Sequence, residues 1–205
     1  MDFLSEIDGK IGDGDHGINM NKGFSLCKNR LEDKEYTFSE GLSTLSCTLM
    51  EDIGGSMGPL YGVFFDEMSL ACSKEINADV FEKMLMCAND GIQEIGNANR
   101  GDKTLLDTLI LGLEAYSLAL VKGKDFSEAL DDLKIGAKAG WESTKDMIES
   151  DVQVVWENGL AVCLMQAQPV VISFFALWPI QYRTSLNNGL ILNGPLCPQN
   201  ALMEQ

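Results

Sequence analysis

Apolar side chains recur every three or four positions through roughly the first 150 residues, which is the spacing of one face of an α-helix. The clearest run is Phe38, Leu42, Leu45, Leu49 and Ile53. Similar runs lie within residues 63–70, 80–95, 103–121 and 126–148. No useful stretch of this region alternates between apolar and polar residues, so strands are not predicted. The pattern predicts an all-α fold.

Glycine-rich segments interrupt the helical pattern. Residues 54–62 break it after the run that ends at Ile53, and residues 97–102 form a loop before the next apolar run. Asp102 is the predicted N-cap of a helix over Lys103–Val121, because a short acidic side chain before an apolar run favours a helix start.

Composition and charge restrict the function classes. The chain has 205 residues, 45% of them hydrophobic, which is enough for one domain with its own core. Its 31 acidic residues against 15 basic ones give a formal net charge of −16. Such a surface repels nucleic acids and anionic membranes, so neither is a predicted partner.

Cysteine usage and the N-terminal sequence indicate a cytoplasmic protein. The six cysteines are scattered without a C-x-x-C pair, so neither a zinc site nor a disulfide framework is predicted. The first residues are acidic where a signal peptide would be basic. The uncharged stretch 158–182 is long enough to span a membrane, but Pro169 and Pro179 interrupt it, so no transmembrane helix is predicted.

An acidic glycine-rich stretch at residues 8–17 is the strongest candidate site. Asp8, Asp13 and Asp15 place three carboxylates within eight residues, and the glycines between them allow a tight turn. The carboxylates would repel one another without a cation, and hard oxygen ligands suit magnesium. An EF-hand does not fit, because the twelfth position counted from Asp13 is Phe24 rather than Glu. A solvated acidic turn is the simpler alternative.

Two further segments could bind anions. Gly54-Gly-Ser-Met-Gly58 follows one helix and precedes another, and a helix start after glycines exposes backbone N–H groups. Residues 96–107 place a glycine loop before an apolar helix. Alone, residues 54–58 are better explained by a close helix–helix contact, and an ordinary capped helix is a strong alternative for residues 96–107.

Together, the three segments resemble the ADP-binding L subunit of dihydroxyacetone kinase. The matching strings are Ile11–Met20, Gly54–Gly62 and Gly101–Asp107, and the resemblance covers residues 1 to about 147. It implies an antiparallel barrel of eight helices, incomplete at both ends in this sequence. The usual helix before the acidic loop is missing, and so is a closing string of the type G-R-x-x-x-L-G-E-R-S.

The resemblance also implies ligands for particular residues. Two Mg²⁺ ions would be held by the carboxylates Asp8, Asp13 and Asp15. ADP or ATP would be bound through eight residues: His16, Gly17, Ile18, Asn19, Ser56, Met57, Gly96 and Leu105. Among these, residues 16–19 would line the phosphates, whereas Gly96 and Leu105 would border the adenine. No catalytic nucleophile is implied in this chain.

The activity implied is phosphoryl transfer to dihydroxyacetone held on a partner K subunit, after a phosphocarrier subunit has charged the bound ADP. A homodimer is left open. The nucleotide domain of an ATP-dependent dihydroxyacetone kinase would carry the same segments. The sequence is also compatible with a non-catalytic nucleotide-binding regulator and with an inactive fragment.

The sequence divides into an L-type nucleotide-binding domain at residues 1–149 and an aberrant tail at residues 150–205. Four of the five prolines lie in the tail, and helical periodicity is lost there. Back-translation of residues 152–168, read two nucleotides later, permits the string P-G-R-L-G-E-R-S-R-G-V-L-D-A-G-A. We therefore interpret the tail as a frameshift product and expect it to weaken nucleotide binding; a divergent natural C-terminus is the alternative.

Overall fold

The computed structural model describes residues 15–55 and 57–144, with Met57 described by its backbone alone. This part of the chain forms six α-helices: α1 (His16–Leu31), α2 (Phe38–Asp52), α3 (Met57–Ala71), α4 (Ala78–Gly96), α5 (Leu105–Val121) and α6 (Phe126–Ser143). No strand occurs among the described residues. The predicted all-α class is confirmed. The eight-helix barrel stays a prediction, because residues 1–14 and 145–205 lie outside this part.

Two predicted helix starts are wrong. Helix α3 begins at Met57, inside the segment that the sequence pattern assigned to a break. Pro59 is tolerated there because the N–H groups in the first turn of a helix have no intrahelical acceptor. The missing N–H of proline therefore costs no hydrogen bond. Helix α5 is capped by Thr104, whose Oγ1 accepts the Leu106 N–H at 3.2 Å. The predicted cap, Asp102, instead accepts the N–H of Asn99 at 2.7 Å within the preceding loop.

The core is formed by the apolar faces of all six helices. Leu42, Leu45 and Leu49 are at most 2% exposed, so the predicted stripe on α2 is confirmed. This helix begins with a capping box, in which Thr37 and Glu40 each accept the other's backbone N–H. The backbone and side-chain donors of Thr37 lower the pKa of Glu40, because they stabilise its ionised form.

Helices α2 and α3 pack antiparallel. Ser39 near the start of α2 donates from Oγ to the carbonyl of Ser69 near the end of α3, at 3.0 Å. At the opposite end of the pair, Gly58 of α3 lies against the last turn of α2. A Cβ on Gly58 would lie 2.6 Å from the Leu49 carbonyl oxygen and 2.7 Å from that of Ile53. Only glycine allows this approach of the two backbones.

Helix α1 runs antiparallel to α2. Lys22 donates from Nζ to the carbonyl of Asp52 at 2.9 Å, in the last turn of α2. Two turns later, Arg30 donates to the Thr48 hydroxyl at 2.7 Å, farther from the end of α2. Arg30 also pairs with the Asp52 carboxylate at 2.8 Å. The start of α1 therefore lies beside the end of α2.

Helices α5 and α6 form a second antiparallel pair. Gly136 lies against the backbone of Leu111, and Gly140 lies against the backbone of Asp107. The later residue of α6 contacts the earlier residue of α5. The end of α6 therefore lies beside the start of α5. Helix α4 connects the two halves: its Gly91 lies against Val63 of α3, and the carbonyl of its first residue, Ala78, accepts a hydrogen bond from Tyr116 of α5.

Alternate connections therefore lie at opposite ends of the bundle. One end, called the motif end here, is formed by residues 15–19, 53–55, 57–58 and 96–105. The opposite end, called the far end, is formed by residues 31–38, 71–78 and 121–126. Among the described helices, none is long and apolar enough to cross a membrane. The uncharged stretch 158–182 lies outside the described residues.

Candidate functional site

Of the three carboxylates in the acidic stretch, the structure describes that of Asp15, which directly precedes α1. Asp15 is exposed, and its carboxylate accepts the side-chain amide of Asn19 at 2.6 Å. The backbone N–H of Asn19 bonds to the Asp15 carbonyl at 2.8 Å. Asp15 is therefore fixed to the first turn of α1 through both its backbone and its side chain. Asp8 and Asp13 lie outside the described residues, so a three-carboxylate metal site stays a prediction.

The first turn of α1 is partly buried and partly exposed. His16 and Gly17 are buried, whereas Ile18 is 57% exposed. The first N–H groups of a helix have no intrahelical acceptor, and the helix dipole adds partial positive charge at the same place. Such a turn suits a phosphate or another anion. Predicted phosphate residues 16–19 all lie in this turn.

A buried hydrogen bond joins this turn to α3. His16 Nε2 lies 3.1 Å from Tyr61 Oη, and both residues are 1% exposed. Their rings meet edge to face, with centroids 5.9 Å apart. The contact brings the first motif segment against the second, since Tyr61 belongs to residues 54–62.

The glycine turn between α2 and α3 is held from two sides. Gly55 has φ of +76°, a conformation that favours glycine. Gly58 fixes the start of α3 against the last turn of α2. Ser56 and the Met57 side chain lie outside the described residues. Their predicted contacts with the nucleotide stay predictions.

The third segment is a loop fixed by two carboxylates. Asp107, which is 1% exposed, accepts the Gly101 N–H at 2.7 Å and the Thr104 N–H at 2.8 Å. Asp102 accepts the Asn99 N–H. Gly101 and Lys103 both have positive φ, at +95° and +59°. The carboxylates hold a backbone that the chain would otherwise adopt rarely.

The two predicted adenine residues bracket this loop. Gly96 is the last residue of α4 and is buried, and Leu105 is the first residue of α5 and is 0% exposed. Leu105 thus contributes its side chain to the core. Both residues lie at the motif end, and their contacts with the adenine stay a prediction.

Sequence reasoning assigned no role to three residues that organise the motif end. Asp107 had a signal, because Thr104 followed by an acidic residue three positions later is the pattern of a capping box. Tyr61 and Lys22 had none. Tyr61 is 45 positions from His16, and Lys22 is 30 positions from Asp52.

Comparison with known proteins gives a family match. The family model of the DAK2 domain matches residues 10–154. The ADP-binding subunit DhaL of PEP-dependent dihydroxyacetone kinase 1 from Listeria innocua is 40% identical over 107 residues, which are 51% of this chain and 54% of that relative. The chain therefore spans about half the length of this curated relative.

Two other relatives match a longer part of the chain. The ADP-binding subunit DhaL of PEP-dependent dihydroxyacetone kinase from Escherichia coli is 31% identical over 151 residues, covering 71% of each protein. Human triokinase/FMN cyclase is 28% identical over 148 residues, which are 71% of this chain but 26% of that enzyme.

Proposed function

The chain belongs to the DAK2 domain family, and on this premise we propose that it is the nucleotide-holding L subunit of a dihydroxyacetone kinase. In this proposal it keeps Mg–ADP at the motif end and receives a phosphoryl group from a phosphocarrier. It then passes the group to dihydroxyacetone on a partner K subunit. The proposed setting is the cytoplasm.

The observation that carries the proposal is the meeting of three separate segments at one end of the bundle. Residues 15–19 and 54–62 are joined by the His16–Tyr61 bond. Residues 96–105 reach the same end through the antiparallel order of α3, α4 and α5. Chain segments far apart in sequence thereby lie at one end of the bundle, where we propose that a nucleotide binds.

The residues at this end fit a magnesium nucleotide. Asp15 offers exposed carboxylate oxygens, the ligands that Mg²⁺ prefers, and Asn19 holds that carboxylate in place. We propose that Asp8 and Asp13 complete the set for two ions. Bound magnesium would neutralise phosphate charge during transfer. The first turn of α1 would orient the phosphates through its N–H groups.

The remaining ligand assignments are proposals of the same kind. His16, Gly17, Ile18 and Asn19 would line the phosphates. Ser56 and Met57 would contact them from the glycine turn, and Gly96 and Leu105 would border the adenine.

A second candidate is the nucleotide domain of an ATP-dependent dihydroxyacetone kinase. The match to human triokinase/FMN cyclase favours it, because 71% of this chain matches only 26% of that enzyme. The chain therefore corresponds to one part of a longer protein. The same motif end would serve either function, so the two differ in the source of the phosphoryl group.

Reconstitution tests the proposal and separates the two candidates. The chain is mixed with a dihydroxyacetone-binding K subunit and dihydroxyacetone, and dihydroxyacetone phosphate is measured. Product that requires phosphoenolpyruvate and the phosphocarrier supports the L subunit. Product formed from ATP alone supports the second candidate. No product from either source, while Mg–ADP still binds, contradicts both and favours a non-catalytic regulator.

We also propose that the tail from residue 150 onward is translated in a shifted frame. The family match ends at residue 154, close to the predicted boundary, which supports the proposal. Sequencing the coding DNA provides the test. An uninterrupted frame with no shifted G-R-x-x-x-L-G-E-R-S string would contradict it.

A further inference from the structure

The His16–Tyr61 bond joins two parts of the proposed site that the sequence keeps apart. His16 is the first residue of α1 and follows Asp15 directly. Tyr61 lies in the second turn of α3, one turn after Gly58 has fixed that helix against α2. The bond therefore connects the part of the proposed site that carries Asp15 to the glycine turn between α2 and α3.

Both partners are almost fully buried, so loss of the bond would leave a polar atom without water to replace it. His16 and Tyr61 are each 1% exposed, and the Oη–Nε2 distance is 3.1 Å. A polar atom that loses its partner inside a protein bears the cost of desolvation without compensation. Removal of the Tyr61 hydroxyl would let the His16 ring, and with it the first turn of α1, move relative to α3.

We infer that Tyr61 is a positioning residue for nucleotide binding. Its hydroxyl holds the His16 ring, the ring holds the first turn of α1, and this turn carries Asp15 and the N–H groups proposed to meet the phosphates. Tyr61 acts through its bond to His16, and we assign it no contact with the nucleotide itself. The inference rests on the proposed function and gives a role to a residue that lies in a matching string but to which the resemblance assigned no ligand.

The chain contains a matched control. Tyr116 is also fully buried, at 0% exposed, and its hydroxyl donates one hydrogen bond, to the Ala78 carbonyl at 3.0 Å. This bond joins α5 to the start of α4 at the far end. Tyr61→Phe and Tyr116→Phe each remove one buried hydroxyl, one at the motif end and the other at the far end.

The experiment compares the full-length chain with both variants. Mg–ADP affinity is measured by calorimetric titration, and the ring nitrogens of His16 are observed by ¹⁵N NMR at one fixed pH. Because His16 is the only histidine, its signals need no further assignment. We expect Tyr61→Phe to weaken Mg–ADP binding by about three- to tenfold, the loss of one hydrogen bond. We expect it also to shift the His16 signals.

Tyr116→Phe should lower the melting temperature about as much as Tyr61→Phe does. It should leave Mg–ADP affinity and the His16 signals unchanged. Equal affinity in wild type and Tyr61→Phe would overturn the inference alone. Equal weakening in both variants would also overturn it, since the effect would then be general destabilisation. A wild-type chain that does not bind Mg–ADP would overturn the proposed function and this inference together.

Wild-type protein supplies a second test that needs no variant to fold. Saturation with Mg–ADP should shift the His16 ring signals, because the ring supports the turn that would meet the phosphates. Signals that stay in place at saturation would overturn the inference.

Discussion

Asp107 shows how a single buried residue can determine the shape of a loop. Each of its carboxylate oxygens accepts one backbone N–H, from Gly101 and from Thr104. The residue just before Thr104, Lys103, has φ of +59°, which is rare for a residue with a Cβ. Two charge-assisted bonds from a 1% exposed group outweigh that local strain.

Asp107→Asn should therefore destabilise the protein by about 1.5–3 kcal/mol, because the substitution puts an NH2 donor in place of one of the two oxygens that each accept a backbone N–H. Urea unfolding measures the loss, and amide exchange at Gly101 and Thr104 should accelerate. Asp102→Asn is the control. Its carboxylate accepts one N–H in an exposed position, so we expect a smaller effect. Equal losses in the two variants would contradict this explanation of the loop.

At this scale, sequence reasoning found residues whose partners lie close along the chain. The Thr104–Asp107 capping box is a local pattern, although Asp102 appeared the better cap because it precedes the apolar run. Tyr61 could not be found, because nothing in a sequence indicates which buried hydroxyl will meet His16. Such partners depend on how two helices pack, and packing is a property of the fold.

At the scale of elements, the apolar spacing predicted the existence of the helices better than their starts. The stripe on α2 agrees with Phe38–Asp52. The start of α3 was missed because Gly58 and Pro59 are read as helix breakers. Their cost is small in the first turn of a helix, and Gly58 is favoured by close packing on α2.

Gly58→Ala tests that packing. The added Cβ would lie 2.6 Å from a backbone oxygen of α2 that cannot rotate away, and overpacking of this kind costs about 1–3 kcal/mol. We expect the melting temperature to fall by several degrees. Gly54→Ala is the matched control, since a Cβ there would meet nothing within 4 Å. A Gly58→Ala protein as stable as Gly54→Ala would show that the α2–α3 contact is not as close as described.

At the scale of the molecule, the antiparallel order of the helices creates the candidate site. The sequence provided three short segments, each with an ordinary explanation of its own, and their order and spacing gave the family resemblance. Their meeting at one end could not be derived from spacing, because it depends on the direction of every helix between them. Three contacts indicate those directions: Lys22 with Asp52, Ser39 with Ser69, and Tyr116 with Ala78.

The central claim is that the motif end binds a magnesium nucleotide, and calorimetric titration of the full-length chain with ADP tests it most directly. We predict saturable binding that requires Mg²⁺ and that weakens in Asp15→Asn. Asp33→Asn, which changes an aspartate at the far end, should bind like wild type. Absence of binding with Mg²⁺ present, or binding that neither a chelator nor Asp15→Asn reduces, would contradict the claim.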